Sequence, residues 1–471
     1  MDRGIQPVTV ELSPAAGRAS PDALPGLTRR QFVARAGGAV AGATALGLLG
    51  GRAWAAPRFP GADAFDAGVA TAWFDQSLAL VKATPGYTPP VASRALGSLG
   101  VTLYEAIVPG MDDFRSLASV LPGLGQVQTA GRNTAYDWRA VANAALASTT
   151  RRAFPTAPAA QLAAIDALEA RFEAELRAEL PPGVLARSVA RGREVAAHVF
   201  EWSKGDGGHE AYLRNFPTDY VPPVGPGLWV PTPPGFLRAL QPYWGRNRCM
   251  AIADGADCPP GDHPPYSEDP ASDFYAEALE TYETVNNLTP EQEEIARFWS
   301  DDPGATATPP GHSISITTQV LRLEDASLAR AAEAYARVGI AVCDAFIACW
   351  HQKYVYSLLR PLTYIQERFD PRWLPILVTP PFPEYTSGHS VQSGAAFQVL
   401  TDLFGESYSF VDHSHDDRGF APRSFGSFFQ AADEAAISRL YGGIHFRSAI
   451  ENGVTQGKCV GEAVSALPFR A

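Results

Sequence analysis

The sequence predicts an all-α protein built of helical bundles, two of them of the four-helix kind, joined by long loops rich in proline and glycine. Three observations carry this. Apolar residues recur at three- and four-residue spacing along much of the chain. No segment alternates apolar and polar residues as a half-buried strand does, and the stretches between periodic segments are long and dense in Pro and Gly.

The clearest helix is 158–180, where Leu162, Ile165, Leu168, Phe172, Leu176 and Leu180 share one face between Arg and Glu residues. Similar periodicity predicts helices at about 64–83, 91–107, 134–153, 184–204, 270–285, 290–300, 326–352, 391–404, 430–441 and 447–464. The stretches 205–268, 301–315, 366–390 and 405–429 exceed ordinary connections, and loops of that length in a folded domain tend to carry function.

With 471 residues the chain can fold as one large domain or several. Hydrophobic residues make up 46% and charged residues 19%, a globular balance that excludes a disordered or coiled-coil chain. The net charge of −12, with no clustered Lys/Arg stripe, argues against nucleic acid as a partner. The expected organisation is a leader at 1–55, an N-terminal helical half at 56–300 and a C-terminal helical half at 301–471, with 56–471 one compact unit.

The leader reads as a twin-arginine export signal. Thr28-Arg29-Arg30-Gln31-Phe32 precedes an uncharged run from Ala36 to Gly51, followed by Ala53-Trp54-Ala55, a small-x-small cleavage site. The run is too short and too rich in Gly and Ala to span a bilayer well, so no integral membrane span is expected in the mature protein, which would be periplasmic or extracellular. The five cysteines form no C-x-x-C pair, and their odd number leaves at least one thiol free. Cys249 and Cys258 flank a short loop and could pair outside the cytoplasm.

Chemistry concentrates in three segments of the last third: Lys353 with Arg360-Pro361, then Ser387-Gly388-His389, then Ser438-Arg439 with His445. Lys353 and Arg360 are seven residues apart, two helical turns if the helix continues, so both cations could face one pocket. Ser387-Gly388-His389 precedes an apolar-periodic segment and should form the turn into a helix, whose free N–H groups attract an anion. Arg439 adds a planar donor fork suited to an oxyanion. Each residue alone reads as a solvated cation or a satisfied core histidine; their conjunction and order carry the argument.

These segments resemble the motifs KxxxxxxRP, PSGH and SRxxxxxH of the superfamily of vanadium-dependent haloperoxidases, bacterial non-specific acid phosphatases and type 2 phosphatidic acid phosphatases. Here they run Lys353–Pro361, Thr386–His389 and Ser438–His445, with Thr386 in place of the usual Pro. The length and long loops are similar to the haloperoxidase branch.

The resemblance implies vanadate as cofactor, with His445 its metal ligand and His389 an acid/base partner. Lys353, Arg360, Ser387, the Gly388 N–H and Arg439 would hold the anion's oxygens, and Lys353 would also be catalytic by polarising the peroxide. Hydrogen peroxide, a halide (chloride or bromide) and a small organic substrate are the implied partners, with a homo-oligomer left open. Trp350 and Phe382 resemble aromatic positions of the chloroperoxidase pocket. The alternatives are a metal-free phosphatase acting on phosphate esters through a phosphohistidine at His445, and an anion-binding protein without turnover.

An acidic residue often stands four positions after the last motif His, but Ala449 is there. Asp301, Asp302, Asp344, Asp433, Glu451 or a carbonyl would have to orient the His445 ring instead. His413 and His415 read first as a solvated loop, although their spacing resembles a metal-binding tract. His312 reads as a group outside the immediate anion contacts.

Overall fold

Helices supply nearly all the regular structure in the computed structural model, which describes residues 60–127, 130–131 and 134–470; the predicted export signal lies outside these. In chain order they are α1 (Gly68–Ala83), α2 (Pro89–Ile107), α3 (Trp138–Ala153), α4 (Ala159–Glu179), α5 (Pro182–Lys204), α6 (Asp273–Asn286), α7 (Pro290–Phe298), α8 (Thr308–Leu323), α9 (Leu328–Tyr356), α10 (Pro361–Arg368), α11 (Gly388–Phe404), α12 (Phe428–Tyr441) and α13 (Arg447–Ser465).

Two bundles meet along α9. In the first, α2 packs on α3, and α3 packs on α4 and α5; in the second, α11 lies between α9, α12 and α13. Helix α9 also runs along α2, so both its sides are covered. Its sequence explains this position, since Leu328 to Trp350 is almost continuously buried, and a helix apolar on all faces belongs in a core. Arg58–Ala471 forms one compact unit.

Glycine lets α11 and α13 touch. A Cβ on Gly457 would stand 2.1 Å from the Val391 carbonyl oxygen, and one on Gly394 would stand 2.6 Å from that of Val454. Only hydrogen at both positions allows this approach, which fixes the N-terminus of α11 against α13 through the Ser387 N–H donating to the Ala449 carbonyl at 3.1 Å.

Four expectations are corrected. Helix α8 occupies most of the stretch 301–315 taken for loop: Pro309 and Pro310 sit in its first turn, where no N–H is needed, so they start the helix instead of breaking it. A two-stranded antiparallel sheet, β1 (Phe410–Asp412) with β2 (Arg423–Phe425), lies in the stretch 405–429; three residues are too few to show alternation. Helix α9 ends at Ser357, whose φ is 49°, so Arg360 does not continue it and instead caps α10 ahead of Pro361. The disulfide joins Cys258 to Cys459 on α13, leaving Cys249, Cys343 and Cys349 as buried thiols.

Candidate active site

The three motif segments converge. Ser387 caps α11, its Oγ accepting the Ser390 N–H, so Gly388 and His389 form the first turn with its N–H groups. Arg439 lies in the last turn of α12, and His445 sits in the short link to α13. Gly388, His389, Arg439 and His445 line one cavity of about 390 Å³, and Leu240, Phe346, Trp350, Pro381 and Phe382 form much of its apolar wall.

Lys353 and Arg360 stand behind the polar end. The Lys353 ammonium donates to the carbonyls of Pro383 at 3.0 Å, Glu384 at 2.9 Å and Thr386, so backbone oxygens take all three of its hydrogens. Its charge therefore reaches the site mainly as a field. Arg360 donates from Nε to Phe382 O at 2.8 Å, and from Nη1 to Ile444 O at 2.8 Å and His445 Nε2 at 3.2 Å. The Phe382 ring lies beneath both cations, 5.0 Å from the ammonium and 4.8 Å from the guanidinium.

Glu384 is the partner of His445 that sequence reasoning missed. Its Oε1 accepts from His445 Nδ1–H at 2.8 Å and from the Phe446 N–H at 2.9 Å. This bond fixes the tautomer, leaving the lone pair of His445 on Nε2. The five acidic residues considered for the task are elsewhere. Asp301 binds His312, Asp302 stands by Arg439, and Asp344 accepts the N–H groups of Met250, Ala251 and Ile252. Asp433 is exposed on α12, and Glu451 pairs with Arg447 at 3.2 Å. The one available signal was an acidic residue in the Pro-rich run Pro380–Glu384, three positions before Ser387.

Burial shapes the electrostatics. Burial pulls the Lys353 ammonium down to about 7, and Arg360 and Arg439 down to about 9 and about 10. Burial raises the Glu384 carboxyl to about 8, against the pull of Arg360 and Lys353. His389 and His445 are held well below the usual imidazole value, first by burial and then by neighbouring cations, Arg439 for His389 and Arg360 for His445. Both rings are thus neutral near pH 7. Lys353 and Arg360 face Glu384, Arg439 faces Asp302 and Asp301, and the guanidinium nitrogens Arg360 Nη2 and Arg439 Nε have no hydrogen-bond partner among the described residues. Each such buried donor costs on the order of 1–3 kcal/mol, a deficit that an oxyanion would offset. The donor set fits vanadate: an imidazole nitrogen whose lone pair meets the Arg360 Nη1 donor, together with guanidinium and helix N–H donors.

Behind Arg439, the Trp299 carbonyl accepts from Nη1 at 2.9 Å and faces His389. The Trp299 ring stacks on His312 at 4.5 Å. His312 donates from Nδ1 to Asp301 Oδ2 at 2.8 Å and from Nε2 to Asp412 Oδ2 at 2.7 Å. Burial alone would lower its pKa, but the two carboxylates push it up to about 10. His413 is exposed and paired with Asp416, as expected of a loop, whereas His415 is buried 3.2 Å from Asp301. The chain turns inward there because Asp412 Oδ1 accepts the Ser414 N–H at 2.9 Å.

Comparisons with known proteins agree with this geometry. The model of the VCPO second helical-bundle domain matches residues 333–469. The vanadium chloroperoxidase of Curvularia inaequalis is 27% identical over 167 residues, 25% of this chain and 27% of that protein, so the aligned part spans about a quarter of its length. The crystal structure of the first bacterial vanadium-dependent iodoperoxidase superposes with a TM-score of 0.78 at 36% identity, covering 86% of this chain and 96% of that one. A holo-type bacterial vanadium-dependent chloroperoxidase shares the fold, with a TM-score of 0.62 at 17% identity over 82% of this chain and 93% of its own. The phosphatase alternative is not favoured by these relatives.

Proposed function

The chain belongs to the vanadium-dependent haloperoxidase family, and from that premise we propose that it oxidises a halide with hydrogen peroxide at a vanadate held by His445. The observation that carries this reading is the set of buried polar atoms without partners beside His445, namely the donors Arg360 Nη2 and Arg439 Nε and the ring nitrogen His389 Nε2.

Vanadate, when bound, supplies a Lewis-acidic vanadium(V) centre that activates hydrogen peroxide toward halide. The protein does the rest. Glu384 keeps the His445 Nδ1 proton in place, so Nε2 is presented as a neutral ligand atom. Arg360 and Arg439 counter the anion's charge, and Lys353 adds a positive field from behind Phe382. The N–H groups of Gly388 and His389 complete the cradle at the head of α11.

The net reaction, halide plus hydrogen peroxide plus a proton giving hypohalous acid and water, consumes one proton. His389 is the group placed to relay it: its ring is neutral near pH 7, and its low basicity makes it pass on readily any proton that Nε2 takes up. The apolar wall of Phe346, Trp350 and Pro381 limits water and accommodates a small organic acceptor.

The test is halogenation of a phenolic dye by the purified protein with hydrogen peroxide and iodide, bromide or chloride, before and after addition of orthovanadate. Activity that requires vanadate and disappears in His445→Ala is expected. Hydrolysis of a phosphate ester that vanadate inhibits, without halogenation, would overturn the proposal.

The same reading includes export by the twin-arginine route to the periplasm or beyond, supported by Arg29-Arg30 and the short uncharged run that follows. Residues 1–55 fused to a reporter should carry it out of the cytoplasm, and Arg29→Lys with Arg30→Lys should retain it inside.

A further inference from the structure

Asp301 lines two cavities. One holds His389, Arg439 and His445; the other, of about 340 Å³, is lined by His312, His415, Ser315 and Ser414. Asp301 is 2% exposed, and His312 and His415 are each 4% exposed. Each offers one ligand atom, and these atoms lie within 4.8 Å of one another.

Asp301 Oδ1 and His415 Nε2 face each other 3.2 Å apart as an ion pair, and neither has another partner among the described residues. Two ligands of a tetrahedral zinc-type ion, at bond lengths of about 2.0–2.2 Å, lie roughly 3.3–3.5 Å apart. The pair therefore already stands near the separation that a cation would impose. The third residue has the orientation typical of a metal-bound imidazole, since His312 Nε2–H donates to Asp412 Oδ2 at 2.7 Å while Nδ1 faces Asp301. A carboxylate behind the ring is the usual outer partner that fixes a ligand histidine.

We propose that Asp301, His312 and His415 bind one divalent first-row transition cation, with Asp412 orienting His312 and the adjoining cavity supplying water as the remaining ligand. Two imidazoles and one carboxylate select this class over calcium or magnesium, which prefer all-oxygen sites. His312 gives up its Nδ1 proton to solvent as the cation enters, so the cation replaces the proton between His312 and Asp301. Of the cations on the cavity wall, Lys82 pairs with Asp417 at 3.0 Å, whereas the charge of Arg418 lowers the affinity. The site is distinct from that at His445 and does not depend on the halide chemistry.

The test uses the full folded protein, stripped with chelator and free of vanadate, titrated with Zn²⁺ by calorimetry and with Co²⁺ by visible absorption. One Zn²⁺ per chain is expected, with Co²⁺ d–d bands of a nitrogen- and oxygen-ligated low-coordinate ion. His415→Gln and Asp301→Asn should each weaken binding tenfold or more, Asp412→Asn should weaken it about tenfold, and His389→Ala should leave it unchanged. Absence of stoichiometric Zn²⁺ uptake by the wild type would overturn the proposal whatever the variants do. So would undiminished binding in a folded His415→Gln protein, or loss of binding in His389→Ala.

Discussion

Glu384 and His445, 61 residues apart in sequence, share a hydrogen bond of 2.8 Å between Oε1 and Nδ1. The same oxygen accepts the Phe446 N–H, so Glu384 holds both the ring of His445 and the backbone that follows it. Glu384→Gln keeps an acceptor there but loses the carboxyl, whereas Glu384→Ala loses both. Vanadate affinity should fall about 10–100-fold, more in the Ala variant than in Gln. Titration of each protein with orthovanadate, read by calorimetry, checks the order.

Affinity for vanadate should also depend on pH through Lys353. Burial pulls the pKa of its ammonium down to about 7, so the charge is present below that pH and fades above it. His389 and His445, held well below 6.5, stay neutral through this window, and Glu384, raised to about 8, gains its negative charge only in the upper part, where it weakens anion binding in the same direction. Vanadate changes its own protonation in alkali, so the quantity to follow is the affinity ratio of wild type to Lys353→Met at each pH. It should be roughly tenfold or more near pH 6 and approach unity above about pH 8. A ratio independent of pH would sink the assignment.

Gly457→Ala should loosen the site without touching it. The added Cβ meets the Val391 carbonyl at 2.1 Å and the Ala395 nitrogen at 2.9 Å, and backbone atoms cannot swing aside as a side chain can. A loss of about 1–3 kcal/mol or more is expected, read as a lower thermal midpoint. Gly388→Ala provides the contrast, because its Cβ would meet only the Trp350 and Phe346 rings at 3.5 and 3.8 Å.

The disulfide between Cys258 and Cys459 closes a loop of 201 residues in sequence separation. In the loop-closure model, such a link destabilises the unfolded chain by about 5 kcal/mol. Urea unfolding with and without reductant should show a large loss of stability on reduction, and Cys459→Ala should abolish the difference. Cys249→Ala should preserve it, since that thiol is free.

The sequence by itself determined the helical class and singled out the three segments that the fold brings together. Three-and-four periodicity reports which face of a segment is buried, and the order Lys353, Arg360, His389, Arg439, His445 is a local pattern that survives without coordinates. Ser387 as the cap of α11 was legible for the same reason, because capping depends on adjacent residues.

Only the tertiary structure decided that Glu384 orients His445, that Cys459 pairs with Cys258, that Arg360 leaves the helix of Lys353, and that His415 turns in toward Asp301. Most of these are contacts across long stretches of chain, set by how α9, α11 and α13 pack and by where Pro-rich loops settle against them. Periodicity carries no record of such meetings. Even the break after Tyr356 rests on a left-handed Ser357 that no helix-breaking residue announces.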